Sequence, residues 1–120
     1  MAGELTNEGS ALALDFLNGK TVATPSLTVH LMTGGGAEVS GGSYAPQTPA
    51  MSDATVADPA VATTTALMEF PGMPGTTVAG YEVRSGATVL WAIPRDGGTA
   101  TVNAGDTFQI PAGGLDLSMT

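Results

Sequence analysis

The chain has 120 residues and a mass of 11.9 kDa, the size of one ordinary domain and too short for two cores and a linker. Charged residues make up 12% of it, against about 25% in a typical soluble domain, and eleven acids face only Lys20, Arg84 and Arg95 for a net charge of −8. Three scattered cations cannot neutralise a run of phosphates, which excludes nucleic acid and anionic membrane surfaces as direct ligands, and the absence of cysteine excludes disulfides.

Residues 1–10 carry Glu4 and Glu8 and no Lys or Arg, so no positively charged export leader is read there and synthesis in the cytoplasm is expected. Residues 5–19 read as the one helix. Thr6 or Asn7 is the N-cap, Glu4 and Glu8 sit at the end where the dipole favours negative charge, and Gly19 closes it with Lys20 beside the carbonyl end. Leu12, Ala13, Phe16 and Leu17 form an apolar stripe at helical period, and docking through Leu12, Phe16 and Leu17 is expected to hold a helix this short.

The period then changes to two. Leu27, Val29 and Leu31 alternate with Thr28, His30 and Met32, a half-buried strand that Gly34, Gly35 and Gly36 end. Pro46 and Pro49 confine residues 44–51 to an edge or an irregular run, and residues 53–63 read as a surface loop. Strands are predicted over residues 64–70, 78–84, 87–93, 99–102, 106–110 and 115–119, with Ser85-Gly86 as a tight hairpin turn and glycine turns between the later ones. Seven to eight short strands with one N-terminal helix describe a single antiparallel β-sandwich or small barrel spanning residues 1–120.

Few residues offer chemistry. His30 is the sole histidine, which excludes a zinc ligand set, and no G-x-S-x-G elbow surrounds any serine. His30 lies opposite the apolar face of its strand and reads as a solvent-facing or interface histidine, with a pH-sensitive contact as the alternative. Asp53, Asp58, Glu69 and Asp96 lack the spacing of a calcium loop and read as solvated carboxylates. Gly34 to Gly36 lacks the third glycine of a dinucleotide fingerprint, and no P-loop lysine follows. No two acids are singled out for glycoside hydrolysis, and Trp91 reads as core rather than as a sugar platform. No apolar run approaches the ~20 residues of a membrane span. No catalytic residue, cofactor or metal is therefore expected.

A family resemblance runs along nearly the whole chain. Leu5-Thr6-Asn7-Glu8-Gly9 with Ala11-Leu12-Ala13-Leu14-Asp15-Phe16-Leu17-Asn18-Gly19 resembles the LT-x-x-G-x-x-x-LLD-x-L start of a family of small tailed-bacteriophage virion proteins. Leu27-Thr28-Val29-His30-Leu31-Met32-Thr33 is similar to its L-x-V-x-L-x-T strand, and Glu38-Val39-Ser40-Gly41-Gly42-Ser43-Tyr44-Ala45-Pro46-Gln47 to its E-V-S-G-G-x-Y-A-R-Q segment. Phe70, Gly80-Tyr81 and the run from Val102 through Asn103-Ala104-Gly105-Asp106 to Gly113 resemble its closing strands. Pro46 stands where the family usually has Arg, so no contact from that position is carried over.

The resemblance implies a virion structural protein, not an enzyme, assembled in the host cytoplasm and located in the virion. A charge-poor single domain without a coiled-coil stalk or repeat shaft favours a capsid decoration (cement) protein on the major capsid protein, present in repeated copies or as a homo-oligomer. The alternative is a tail fibre or tail-tip adaptor bound to tail proteins, with the host surface as a further contact. Two loops rich in glycine or proline are the candidate interface: Glu38, Ser40, Gly41, Gly42 and Tyr44 in one, Pro71, Gly72, Met73, Pro74 and Gly75 in the other. The alternative is that both simply connect strands.

Overall fold

Alternation of apolar and polar residues builds the central sheet, in which β2 (Leu27–Met32), β6 (Gly80–Ser85) and β7 (Thr88–Pro94) pair antiparallel in the order β2-β6-β7. The structure is a computed structural model that describes residues 2–119. Its further elements are β1 (Ala2–Glu4), α1 (Asn7–Leu17), β3 (Ala60–Thr63), β4 (Met68–Phe70), β5 (Thr76–Val78), β8 (Ala100–Val102), β9 (Phe108–Ile110) and β10 (Asp116–Met119). Three more small sheets, β1-β10-β3, β4-β9 and β5-β8, complete a mainly β fold with one N-terminal helix.

One core lies among these sheets. Val29 and Leu31 of β2, Tyr81 and Val83 of β6 and Ile93 of β7 meet Phe70, Val78, Phe108, Ile110 and Leu117 from the smaller sheets. The rings of Phe70 and Tyr81 both lie about 6.3 Å from that of Phe108. Leu27 of the same apolar face is half-buried at the margin.

Ten strands are described, more than the seven to eight expected. β1, β3 and β5 are three or four residues long, too short to show a period. The expected strand over residues 78–84 is split: β5 pairs with β8, and past Ala79 the chain turns into β6 to pair with β2 and β7. Gly80 permits that bend, since a Cβ there would lie 2.7 Å from the Ile93 carbonyl oxygen. The hairpin turn is Gly86-Ala87, one residue later than read, because Ser85 pairs with Thr88. Not every pair is antiparallel: β1 runs parallel to β10.

The helix forms where expected, with Thr6 as N-cap accepting from the Gly9 N–H at 3.1 Å. Its docking differs from the reading. Phe16 is 67% exposed and Leu17 74%, Leu12 is half-buried, and Gly9 is the one buried residue of α1. The helix meets β7 through its first turns: Thr6 N–H donates to the Leu90 carbonyl at 2.8 Å, and a Cβ at Gly9 would lie 2.8 Å from that same oxygen. Its second half overhangs.

Candidate interaction surface

The free edge of β2 would expose a row of unpaired backbone groups. The chain covers it by doubling back: Val39 N–H donates to the Leu31 carbonyl at 2.9 Å, and Val29 and Gln47 exchange two bonds at 2.7 and 3.2 Å. This return path carries the first candidate loop, and the fold brings the second against it. Ser43 N–H donates to the Gly72 carbonyl at 2.7 Å. At Gly42, with φ +56°, a Cβ would lie 2.5 Å from the Gly72 oxygen and 3.0 Å from Pro74 N. Backbone packs directly on backbone there, which is why this glycine has no substitute.

The ten candidate residues thus form one patch with two sides. Ser40, Gly41, Gly42, Pro71 and Gly75 are exposed, and Gly72 and Pro74 are partly covered. Met73 is turned into the core at 1% exposure, its N–H donating to Asp106 and its carbonyl accepting from Gly105. Glu38 and Tyr44 are partly covered and turn back onto β2.

Those two side chains close a polar cluster on the outer face of the central sheet. Cross-strand register sets Thr28 opposite Arg84 and His30 opposite Glu82. Glu38 Oε2 lies 2.6 Å from His30 Nδ1 and accepts from the Tyr44 hydroxyl at 2.8 Å. That hydroxyl in turn accepts from the Leu31 N–H at 2.9 Å. Arg84 bonds Glu82 Oε1 through Nε and Nη2 at 2.9 and 2.6 Å, and reaches Glu38 Oε1 at 3.4 Å. His30 Nε2 is 2.9 Å from the Thr28 hydroxyl.

Burial works to raise the Glu38 carboxyl, but hydrogen bonds from His30 and Tyr44 and the charges of His30 and Arg84 outweigh it, so the carboxyl is held below its ordinary value. Burial pushes the Tyr44 hydroxyl up, and its bond to the Glu38 carboxylate adds to that. His30 is therefore neither solvent-facing nor free: it is 9% exposed, beneath Glu38. The hydroxyl, imidazole and carboxylate of Thr28, His30 and Glu38 have the connectivity of a nucleophile with its base. Three surface clefts are lined by other residues, and the carboxylate is engaged by three neighbours. The cluster acts as a clasp that ties the loop to the sheet. Sequence reading named Glu38, His30 and Tyr44 separately but missed Thr28, Glu82 and Arg84, whose signal was their shared outer face on adjacent strands.

The overhanging half of α1 leaves an apolar groove of about 310 Å³, walled by Leu5, Leu12, Phe16, Val22, Trp91 and Met119. Trp91 gives its indole N–H to the Ser118 carbonyl at 3.1 Å, so what it presents to the groove is ring. A smaller cleft of about 210 Å³ lies beside Tyr81, Arg95 and Asp96. Among the described residues no group of three or more acids or histidines converges as a metal site. No helix there is long and apolar enough to cross a membrane. No protein-family model, no curated protein and no solved structure matches the chain.

Proposed function

We propose that the chain is a bacteriophage virion structural protein, seated as a decoration protein on the lattice of the major capsid protein. The observation that carries this reading is the exposed apolar last turn of α1: Leu14, Phe16 and Leu17 are 60%, 67% and 74% exposed on a chain with 12% charged residues. Large apolar side chains clustered at one exposed place mark a surface made to be covered. The family resemblance of the N-terminal, Glu38–Gln47 and closing segments supports a virion component. The rival reading is a tail-fibre or tail-tip module, because the family the chain resembles is described as virion structural or tail-fibre-like. Among the described residues there is neither a long helix for a stalk nor a repeated shaft unit, which weighs toward the head.

Copy number separates the two. A decoration protein repeats with the icosahedral lattice, whereas a tail component is limited by the symmetry of one tail. Quantifying the chain against the major capsid protein, in intact particles and in separated heads and tails, is expected to give a simple lattice ratio in the head fraction. A handful of copies travelling with the tails would sink the decoration reading.

A further inference from the structure

The clasp over the central sheet also aims one hydroxyl at a base. Thr28 and His30 stand at alternate positions of β2, so their side chains share its outer face, and the Thr28 hydroxyl oxygen lies 2.9 Å from His30 Nε2. Glu38 fixes which ring nitrogen carries the proton. Its carboxyl is held below its ordinary value and is an acceptor only when ionised, so the contact of 2.6 Å puts a hydrogen on Nδ1. In the neutral imidazole the Nε2 lone pair is then left facing Thr28, whose hydroxyl donates to it. The ring is 9% exposed and held at both nitrogens, and the branched Thr28 side chain has few rotamers. Other polar groups surround the set: Glu82 stands opposite His30, Arg84 opposite Thr28, and the Tyr44 hydroxyl on the carboxylate. Tyr44 does not compete as a nucleophile, because burial and its bond to Glu38 keep that hydroxyl protonated. Thr28 is half-buried rather than sealed in the core. It lines none of the three clefts described above, so a reagent that reaches it must be small and already activated.

We propose that Thr28 is a nucleophile toward small activated acyl donors, with His30 as its base and Glu38 positioning the ring. The oxygen of Thr28 forms a bond to the acyl carbon and the bond from that carbon to the leaving group breaks. The hydroxyl proton passes to His30 Nε2 and from there to the departing group, while the Glu38 carboxylate faces the imidazolium formed in between. An ester on Thr28 and the protonated leaving group are the products. This goes beyond the structural role proposed above and does not depend on it.

The test treats the full chain with p-nitrophenyl acetate, quenches with acid at short times and locates acetyl groups by mass spectrometry. Thr77 and Thr101, exposed and paired across β5 and β8, are internal controls, since the sole histidine is bonded to Thr28 and Glu38. A positioned general base contributes about 10²–10⁴-fold, so acetylation of Thr28 is expected to run at least ~100-fold faster than at either control. Thr28→Val should remove the fast phase of nitrophenolate release, and Thr28→Ser should keep it. His30→Gln should slow it by about 100-fold with an unchanged circular dichroism spectrum. Glu38→Gln should slow it too, because the amide can donate to Nδ1 and move the ring proton to Nε2. A second readout needs no variant. In the unaltered chain the Thr28 rate should rise with pH to a plateau as the imidazole gives up its proton, whereas acetylation of the Lys20 amine keeps climbing. Acetylation of Thr28 no faster than of Thr101, or a Thr28 rate that climbs in parallel with Lys20, would overturn the proposal. So would a fast phase that survives in Thr28→Val, which would make the imidazole itself the nucleophile.

Discussion

Glu38 ties a loop to a sheet with one carboxylate, and its removal measures how much that clasp contributes. Glu38→Gln keeps the shape but leaves His30, Tyr44 and Arg84 without their charged acceptor, and hydrogen bonds to charged groups contribute about 1.5–3 kcal/mol. Because the site is 29% exposed, a loss of about 1–3 kcal/mol is expected in urea denaturation at neutral pH. The folded chain holds this carboxyl below its ordinary value of 4.5, so the unfolded chain binds more protons as pH falls through that region. The stabilisation is therefore complete above about 4.5 and lost as pH drops through the lower, folded-state value. The gap between the parent chain and Glu38→Gln should narrow on acidification below the ordinary carboxyl range; a constant gap would show that charge at Glu38 is not what stabilises. Gly42 offers a second test. Alanine there meets the Gly72 oxygen at 2.5 Å and a φ of +56°, for an expected loss of about 2–4 kcal/mol. Gly86→Ala, at φ +62° with nothing within 4 Å, should lose only the conformational part, about 1–2 kcal/mol. Equal shifts in denaturation midpoint would mean the two loops are not packed as described. Strand alternation in the sequence correctly put His30 on the outer face. It was silent on the cover, because Glu38 reaches back eight residues from a loop with no period.

At the scale of elements, α1 shows what a hydrophobic stripe does and does not specify. Period, cap and closing glycine gave the helix and its ends within two residues, since all three are local. Which part of the stripe is buried depends on a neighbour, and the neighbour is the backbone of β7 at Leu90, admitted by a missing side chain at Gly9. Phe16→Ala should therefore cost under about 0.5 kcal/mol, the size of a surface change, whereas a buried phenylalanine would cost about 3–5 kcal/mol. Gly9→Ala should be the damaging substitution, about 1–3 kcal/mol, because its Cβ would meet Leu5 Cδ2 at 2.7 Å as well as the Leu90 oxygen. Guanidinium or urea unfolding of both variants checks the order; a Phe16→Ala loss of several kcal/mol would reverse the picture of an overhanging helix. The same limit explains the short strands. β1, β3 and β5 are defined by their partners β10 and β8, and three or four residues cannot announce a period alone.

Over the whole molecule, the exposed surface is 6603 Å², above the roughly 6,000 Å² expected for this mass. The radius of gyration of 14.6 Å exceeds the roughly 13.6 Å of an average fold of this length. Extents of 46 × 26 × 23 Å show why: the molecule is elongated. In such a shape the N-terminal segment carries weight out of proportion to its length. β1 pairs with β10 at residues 116–118, Leu5 bridges to Trp91, and Thr6 both caps α1 and bonds the backbone of Val89 and Leu90. The first of these ties joins the two ends of the chain and the others bind the N-terminal segment to β7, relations that no local pattern in the sequence reports. Deleting residues 1–6 removes a cap contributing about 1 kcal/mol, frees the outer edge of β10 and uncovers the Trp91 ring. With about 4–8 °C of melting temperature per kcal/mol in a small domain, the truncated chain should melt more than ~10 °C below the parent in thermal circular dichroism. A melting temperature within ~2 °C of the parent, less than half a kcal/mol on that scale, would show that the remaining strands close the core without the N-terminus.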